Sequence, residues 1–282
     1  MGKMRSKLVF AIAISIAGML IAQMVLYTLH MVFHWDTRFN LIQVCHSFLR
    51  KWGMVSLSYA LNALVLYTLL LAVLLVGRQI YLTVRFTRQF QRLADWSVTG
   101  RLCQRYKLRD NSLLVIAYPT PLAFTMGFLY PKIVLSDALL QLLDDNELDA
   151  VVFHERFHQK HRDPLKTFLL TVCAAVLWYV PILSWLRSHY QMLREVLADR
   201  EAINRIGTAA DLGSALLKLW KKSRQAALPF VHVSFADSII NYRIRHILNP
   251  SAELSFPLPV RQLLISFQVF VLLCFLFCMA RL

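Results

Sequence analysis

Hydrophobic and polar positions fall along this chain in long blocks rather than in the short alternations of a soluble domain. Three apolar blocks, residues 8–33, 54–76 and 263–280, are long enough to span a membrane. A helix needs roughly 17–25 such residues to cross a hydrocarbon core of about 30 Å. The first block follows a basic start, MGKMRSK. Its apolar part outruns the usual signal-peptide core of about 7–15 residues and ends in no A-x-A site, so it is expected to remain as a signal anchor. A fourth block, 167–186, contains Pro181 within WYVPILSW. It reads either as an ordinary fourth span or as a hairpin that turns at the proline. At 1.5 Å per residue, residues 164–179 run outward about 24 Å and residues 181–195 return about 21 Å. The hairpin reading therefore brings residue 195 back beside the end of the helix that precedes residue 164. The apolar surface of such a hairpin would be buried against the rest of the chain or dipped into the inner leaflet.

Shorter elements lie between the second and third spans. Residues 77–107 continue the second span as a basic helical stretch. SLLVIAYP (112–119), AFTMGFL (123–129) and PKIVLS (131–136) read as short strands, punctuated by Pro119, Pro121 and Pro131. Proline cannot donate to a ladder, which suggests edge positions. Asp144-x-x-Glu147 has the spacing of a capping box, so a helix should begin near Asp145 with Leu148, Val151, Val152 and Phe157 on its apolar side. Asp163-Pro164 should end that helix and open the next, with Asp163 as N-cap and Pro164 in the first position. A third helix follows from Pro181 to about Ile206.

Composition agrees with a membrane protein: 57% of the 282 residues are hydrophobic, 17% are charged, and the mean hydropathy is +0.51. The net charge of +15 is concentrated beside the ends of the spans. Arg78, Arg85, Arg88, Arg92, Arg101, Arg105 and Lys107 follow the second span, and Lys3, Arg5 and Lys7 precede the first. The positive-inside rule then places the N-terminus and residues 77–258 in the cytoplasm of a multi-pass plasma (inner) membrane protein. Such a distribution favours an anionic lipid bilayer as partner, and no motif for direct nucleic-acid binding accompanies it. The five cysteines contain no C-x-x-C pair, which fits reduced, structural thiols rather than a disulfide framework or a thiolate metal site. The expected organisation is an N-terminal membrane region (1–76), a cytoplasmic domain (77–258) with the apolar helical hairpin 164–206, and a C-terminal spanning helix (259–282).

The chemistry is concentrated in VVFHERFHQKHRDP (151–164). His154-Glu155-x-x-His158 is the H-E-x-x-H pattern: positions i and i+4 share a helical face, so both imidazoles reach one metal ion with Glu155 beside it. Catalytic zinc takes three protein ligands and keeps one position for water. LREVLADREA (193–202) offers Glu195 and Asp199, one turn apart on one face. Glu195 is assigned as the third ligand and Asp199 as the carboxylate that orients a ligating histidine through its other nitrogen. Glu155 is then the general base. The competing reading is a polar helix end whose histidines face solvent. His161 lies outside the i, i+4 pair and reads as a solvated flank, while His30, His34 and His46 read as interfacial. Tyr242, Arg243 and His246 are candidates for stabilising an oxyanion, and Arg243 reads equally well as an ion-pairing residue that holds the hairpin.

Several segments in this order resemble the membrane metallopeptidases of the BlaR/MecR type, metallopeptidase family 56. They are AFTMGFLYPKIVLSDALL, LDAVVFHERFHQKHRDPL, WYVPILSW, REVLADREA and, more weakly, YRIRHIL. The resemblance covers about half of the chain. It implies a mostly α-helical integral membrane protein with an α+β, gluzincin-like zinc-peptidase domain. It also implies zinc on His154, His158 and Glu195, catalysis by Glu155, and cleavage of a cytoplasmic protein such as a transcriptional repressor, or of the chain itself. Sensor members of that family carry a penicillin-binding domain after the last span, and the sequence as it stands is expected to lack one. Two other readings compete. One is a quality-control protease of the HtpX type, a class that places two apolar segments between motif and third ligand. The other is a non-catalytic membrane receptor or scaffold.

Overall fold

The computed structural model describes residues 2–33, 40–225, 233–249 and 259–279. Helices dominate, and the chain divides into two compact units. One comprises Met1–Lys3, Ile80–Thr167 and Gln191–Ser255; the other comprises Met4–Gln79, Phe168–Tyr190 and Phe256–Leu282.

The second unit is built on α1 (Gly2–Phe33) and α3 (Val55–Arg92), both long and apolar enough to cross a membrane. A short helix absent from the sequence reading, α2 (Leu41–Lys51), stands between them. Asn40 caps it by accepting from the amides of Ile42 and Gln43.

In the first unit, the basic extension of α3 stops at Arg92 instead of running on to residue 107. Leu93 and Asp95 pair instead with the backbone of residues 115–117 (Asp95 N–H to Val115 O, 2.9 Å; Ala117 N–H to Leu93 O, 3.0 Å). The Asp95 carboxylate then caps α4 (Trp96–Arg105) through Ser97 and Val98. Local propensity allowed a continuous helix, and sheet pairing overrode it.

The three short strands are β1 (Leu113–Ile116), β2 (Ala123–Met126) and β3 (Lys132–Ser136), in the order β1-β3-β2. β1 runs parallel to β3, and β2 antiparallel to it. The prolines sit outside the ladders, as their missing N–H requires. Gly127 adopts φ +96° in the turn between β2 and β3, where a Cβ would stand 3.1 Å from the Tyr130 carbonyl oxygen. Among the described residues no strand pairs with the outer edge of β2.

After α5 (Asp137–Leu142) comes α6 (Asp145–His161). Its capping box is complete: Asp144 accepts from the Glu147 amide at 2.9 Å, and Glu147 accepts from the Asp144 amide at 3.0 Å. Leu148, Val151 and Val152 bury the apolar side of α6 with Leu113, Val115, Ile133 and Leu135 of the sheet. Arg162, in the left-handed region, ends the helix. Next are α7 (Asp163–Val176), α8 (Ile182–Ile206), α9 (Ala210–Gln225), α10 (Val233–Leu248) and α11 (Val260–Met279). The last expected span, 263–280, falls on α11, with Ala280 outside the described residues.

The fourth apolar block folds back. α7 and α8 are separated by a break at residues 177–181, and Asp163 at the start of α7 meets Arg194 on α8 across 31 residues of sequence. Within the second unit, Leu170, Val176, Leu177, Leu183 and Tyr190 are buried together with Ala13, Ala17 and Met24 of α1 and Val65 of α3. The Tyr190 ring lies tilted beside Phe10 (centroids 5.6 Å apart), while the Tyr179 hydroxyl reaches Met24 Sδ (3.9 Å). Fourteen residues of α1 separate those two contacts, or about 21 Å of helix. Helices α1 and α3 therefore cover apolar surface of the hairpin. Alanines at positions 13 and 17 let the helices approach closely.

Candidate metal centre

Helix α6 carries the first two donors. Its apolar stripe faces the sheet and fixes its rotation, which sets Glu155 against β2 and lines His154 and His158 along the flank beside it. His154 is 6% exposed and Glu155 8%, so neither is a solvated flank. Helix α8 supplies Glu195 and Asp199, one turn apart, and α10 supplies Arg243.

Both histidines are held through Nδ1. His154 Nδ1 lies 2.9 Å from Asp199 Oδ1, and His158 Nδ1 lies 2.9 Å from Asp163 Oδ2. The sequence reading gave Asp199 this orienting position, and the structure pairs it with His154. The Asp-Pro pattern marks Asp163 only as a helix cap, whereas α7 begins at Asp163 itself. Its carboxylate also accepts from Arg194 Nε at 2.8 Å, and the Arg194 guanidinium lies 4.4 Å from the centre of the Phe157 ring. Burial would raise the Asp163 pKa, but its bond to His158 and the charge of Arg194 hold it below the ordinary carboxylate value. Only the motif's proximity in sequence, five residues after His158, hinted at this second role.

The Nε2 atoms then face a common point. His154 Nε2 and His158 Nε2 are 3.1 Å apart, and Glu195 oxygens lie 3.5 Å from each. Ionised carboxylates only accept, so in neutral imidazoles both protons reside on Nδ1 and two Nε2 lone pairs confront each other. That arrangement repels unless a cation lies between them. Donors bound tetrahedrally at about 2.0–2.1 Å stand roughly 3.3 Å apart, close to the separations seen here. The donor set thus fits a divalent metal, and His154, His158 and Glu195 are grouped closely enough to hold one.

Charge balance leads to the same place. Glu155, Asp163, Glu195 and Asp199 face Arg194 and Arg243, which leaves two negative charges with both imidazoles neutral. Arg243 forks onto Asp199 (Nη2 to Oδ1, 2.6 Å; Nε to Oδ2, 2.9 Å) and donates from Nη1 to Glu195 Oε2 at 3.1 Å. Burial would raise the pKa of Glu195 and Asp199, but Arg243, followed by the imidazole contacts, pulls both below the carboxylate range. The same carboxylates hold the Arg243 pKa above its usual value against burial. Burial and Arg243 oppose protonation of His154; Asp199 and Glu195 outweigh them, and its metal-free pKa is raised to about 9.

Glu155 has a different neighbour. The Thr125 hydroxyl on β2 lies 2.8 Å from Glu155 Oε2 and 3.0 Å from the Glu155 carbonyl oxygen, so it ties the carboxyl to the sheet edge. Nothing in the sequence pattern marked Thr125. Of the three oxyanion candidates, Arg243 sits on the carboxylates just described. His246 accepts from Arg200 Nε at 3.0 Å, and Tyr242 feels the charge of Arg200. His161 turns its Nδ1 to the Phe157 carbonyl oxygen, 2.8 Å away.

Comparison with known proteins gives this arrangement a family. The model of the family described as BlaR1 peptidase M56 matches residues 45–247, well over half of the chain, and the chain belongs to that family. Individual relatives carry the description Protease HtpX homolog. One from Desulforapulum autotrophicum is 31% identical over 32% of this chain and 30% of its own length. Another from Archaeoglobus fulgidus is 34% identical over 29% and 25%, and one from Sulfurovum sp. is 27% identical over 48% and 59%. The chain thus spans from a quarter to somewhat over half the length of these relatives.

Proposed function

We propose that this protein is a membrane-embedded zinc endopeptidase that cleaves protein substrates on the cytoplasmic side. The observation that carries the reading is the triangle of donors, His154 Nε2, His158 Nε2 and Glu195, with each imidazole braced from behind by its own aspartate. Zinc bound there would polarise the scissile carbonyl and lower the pKa of the attacking water. Thr125 occupies Glu155 Oε2 and leaves Oε1 to accept that water's proton, which Glu155 then passes to the leaving amine. Asp163 and Asp199 keep the imidazole protons on Nδ1. Arg243 holds Glu195 and Asp199 ionised. An extended substrate would add as a strand along the outer edge of β2, because Thr125 sits on that strand and leads directly to Glu155.

The proposed organisation has 1–76 and 259–282 as membrane regions and 77–258 as the catalytic region. One form of this proposal is a regulatory protease whose substrate is a cytoplasmic repressor or the chain itself. The relatives' HtpX description favours quality control of membrane proteins. Purified full-length protein distinguishes an enzyme from a receptor. Wild type should contain about one zinc per chain and cleave an unfolded test protein, while Glu155→Gln should keep the zinc and lose cleavage. Zinc-free wild-type protein, or full activity in Glu155→Gln, would refute the reading.

A further inference from the structure

Away from the metal centre, a cavity of about 770 Å³ opens in the first unit, within the size range of ligand sites. Eight Lys or Arg side chains line it against two acids, Asp110 and Glu201, and Glu201 is already paired with Arg205. Among the described residues Lys107, Arg109, Lys160 and Arg162 form no ion pair. Lys132 donates only to the neutral Asn111 side chain, at 2.7 Å.

Ordinary helix chemistry explains some of this charge. Lys107 follows the end of α4, while Lys160 and Arg162 lie at the end of α6, where cations suit the dipole. It leaves unexplained Arg109 and Lys132, which line the same volume. The backbone adds an independent mark. All three described non-glycine residues with positive φ, Lys107, Asn111 and Arg162, line this one cavity. Glycine is the low-strain choice after a helix end; here the chain places cations at two such positions.

We propose that the cavity binds the phosphate headgroup of an anionic membrane lipid. Two observations select a lipid over a soluble anion. Leu129 and Tyr130, at the turn between β2 and β3, line the cavity yet are 64% and 85% exposed, an apolar pair suited to the interfacial layer beside a headgroup. Chain continuity is the second. Lys3 and Arg162 line the cavity, and the apolar helix α1 and the apolar 168–190 hairpin follow each of them within a few residues. A cation so placed lies where lipid phosphates lie. The site is separate from the peptidase reading, and its test measures bound lipid, not cleavage.

Native mass spectrometry of the full-length protein in neutral detergent should show retention of added phosphatidylglycerol and little of phosphatidylcholine, with retention falling as salt rises. Lys107→Gln with Arg109→Gln removes two cations and should weaken phosphatidylglycerol retention by roughly 30-fold, at about tenfold or less per charge. Lys107→Arg with Arg109→Lys should keep it, which separates charge from folding. Leu129→Ser with Tyr130→Ser should weaken lipid retention but leave inorganic phosphate binding unchanged. Equal retention of the two lipids, or no effect of the double glutamine variant, would overturn the site. Complete displacement by inorganic phosphate, with the serine variant indistinguishable from wild type, would assign the cavity to a free anion instead. Tight capture of an acidic peptide, with no preference between lipids, would assign it to a protein partner and equally refute the proposal.

Discussion

Replacing Asp163 by asparagine should damage the protein in two separable ways. The carboxylate serves His158 Nδ1 at 2.9 Å and Arg194 Nε at 2.8 Å, and both charged side chains are almost fully enclosed, at 6% and 7% exposure. Asparagine keeps the shape and one acceptor but removes the charge. Arg194 is then a buried cation without its counter-ion, and breaking such a pair costs about 3–5 kcal/mol. The retained amide oxygen and the Phe157 ring beneath the guanidinium place the loss near the lower end of that range. Independently, His158 loses the anion that fixes its proton on Nδ1, and losses of that kind weaken metal binding about 10–100-fold. Arg194→Met separates the two effects. In the Asp163→Asn, Arg194→Met double variant, stability should recover by a few kcal/mol because no charge is stranded, while zinc affinity stays low. Thermal unfolding in micelles reads the first quantity, and zinc competition against a chelator reads the second. If zinc affinity recovers together with stability, Asp163 does not orient His158, and the account of the metal centre is wrong on that side.

Other outcomes follow from the same geometry. Since the metal-free His154 pKa is about 9, a proton competes with zinc, and apparent zinc affinity should rise about tenfold per pH unit up to that pH; a flat profile from pH 6 to 8 would contradict it. The raised value also stabilises the metal-free fold, fully below the unfolded pKa of about 6.5 and progressively less as pH rises through about 9, by an amount on the order of 3 kcal/mol. Unfolding of chelator-treated protein across that window measures the loss. Arg243→Lys keeps a charge but cannot fork onto Asp199, so it should lower stability by about 1–3 kcal/mol, and an unchanged melting temperature would remove the fork from the account. For orientation, single cysteines at Lys160 and Lys222 in a cysteine-free background should resist membrane-impermeant reagent in intact cells and react once the membrane is opened. Labelling of Lys222 from outside would place the catalytic region's halves on opposite faces.

What the chain determined by itself is local in sequence. Periodicity and the Asp144–Glu147 capping box fixed where α6 starts, and the i, i+4 rule then set His154 and His158 on one face without reference to any other element. The length of the first two apolar blocks marked α1 and α3 as helices able to cross a bilayer. The tertiary structure decided whatever depends on residues far apart in sequence. The partner of Glu155 is Thr125, 30 residues earlier on an edge strand. Arg243 meets Asp199 across 44 residues and His154 across 89, distances over which no periodicity operates. Asp163 shows the limit most plainly: the Asp-Pro pair announced a helix start, whereas its bond to His158 depends on a left-handed Arg162 and on the return of α8. The fold-back itself was an open choice between two readings of one proline. In the structure the return is marked by the break at residues 177–181 and by the pair of Asp163 with Arg194 across 31 residues, a contact that a hydropathy profile does not register.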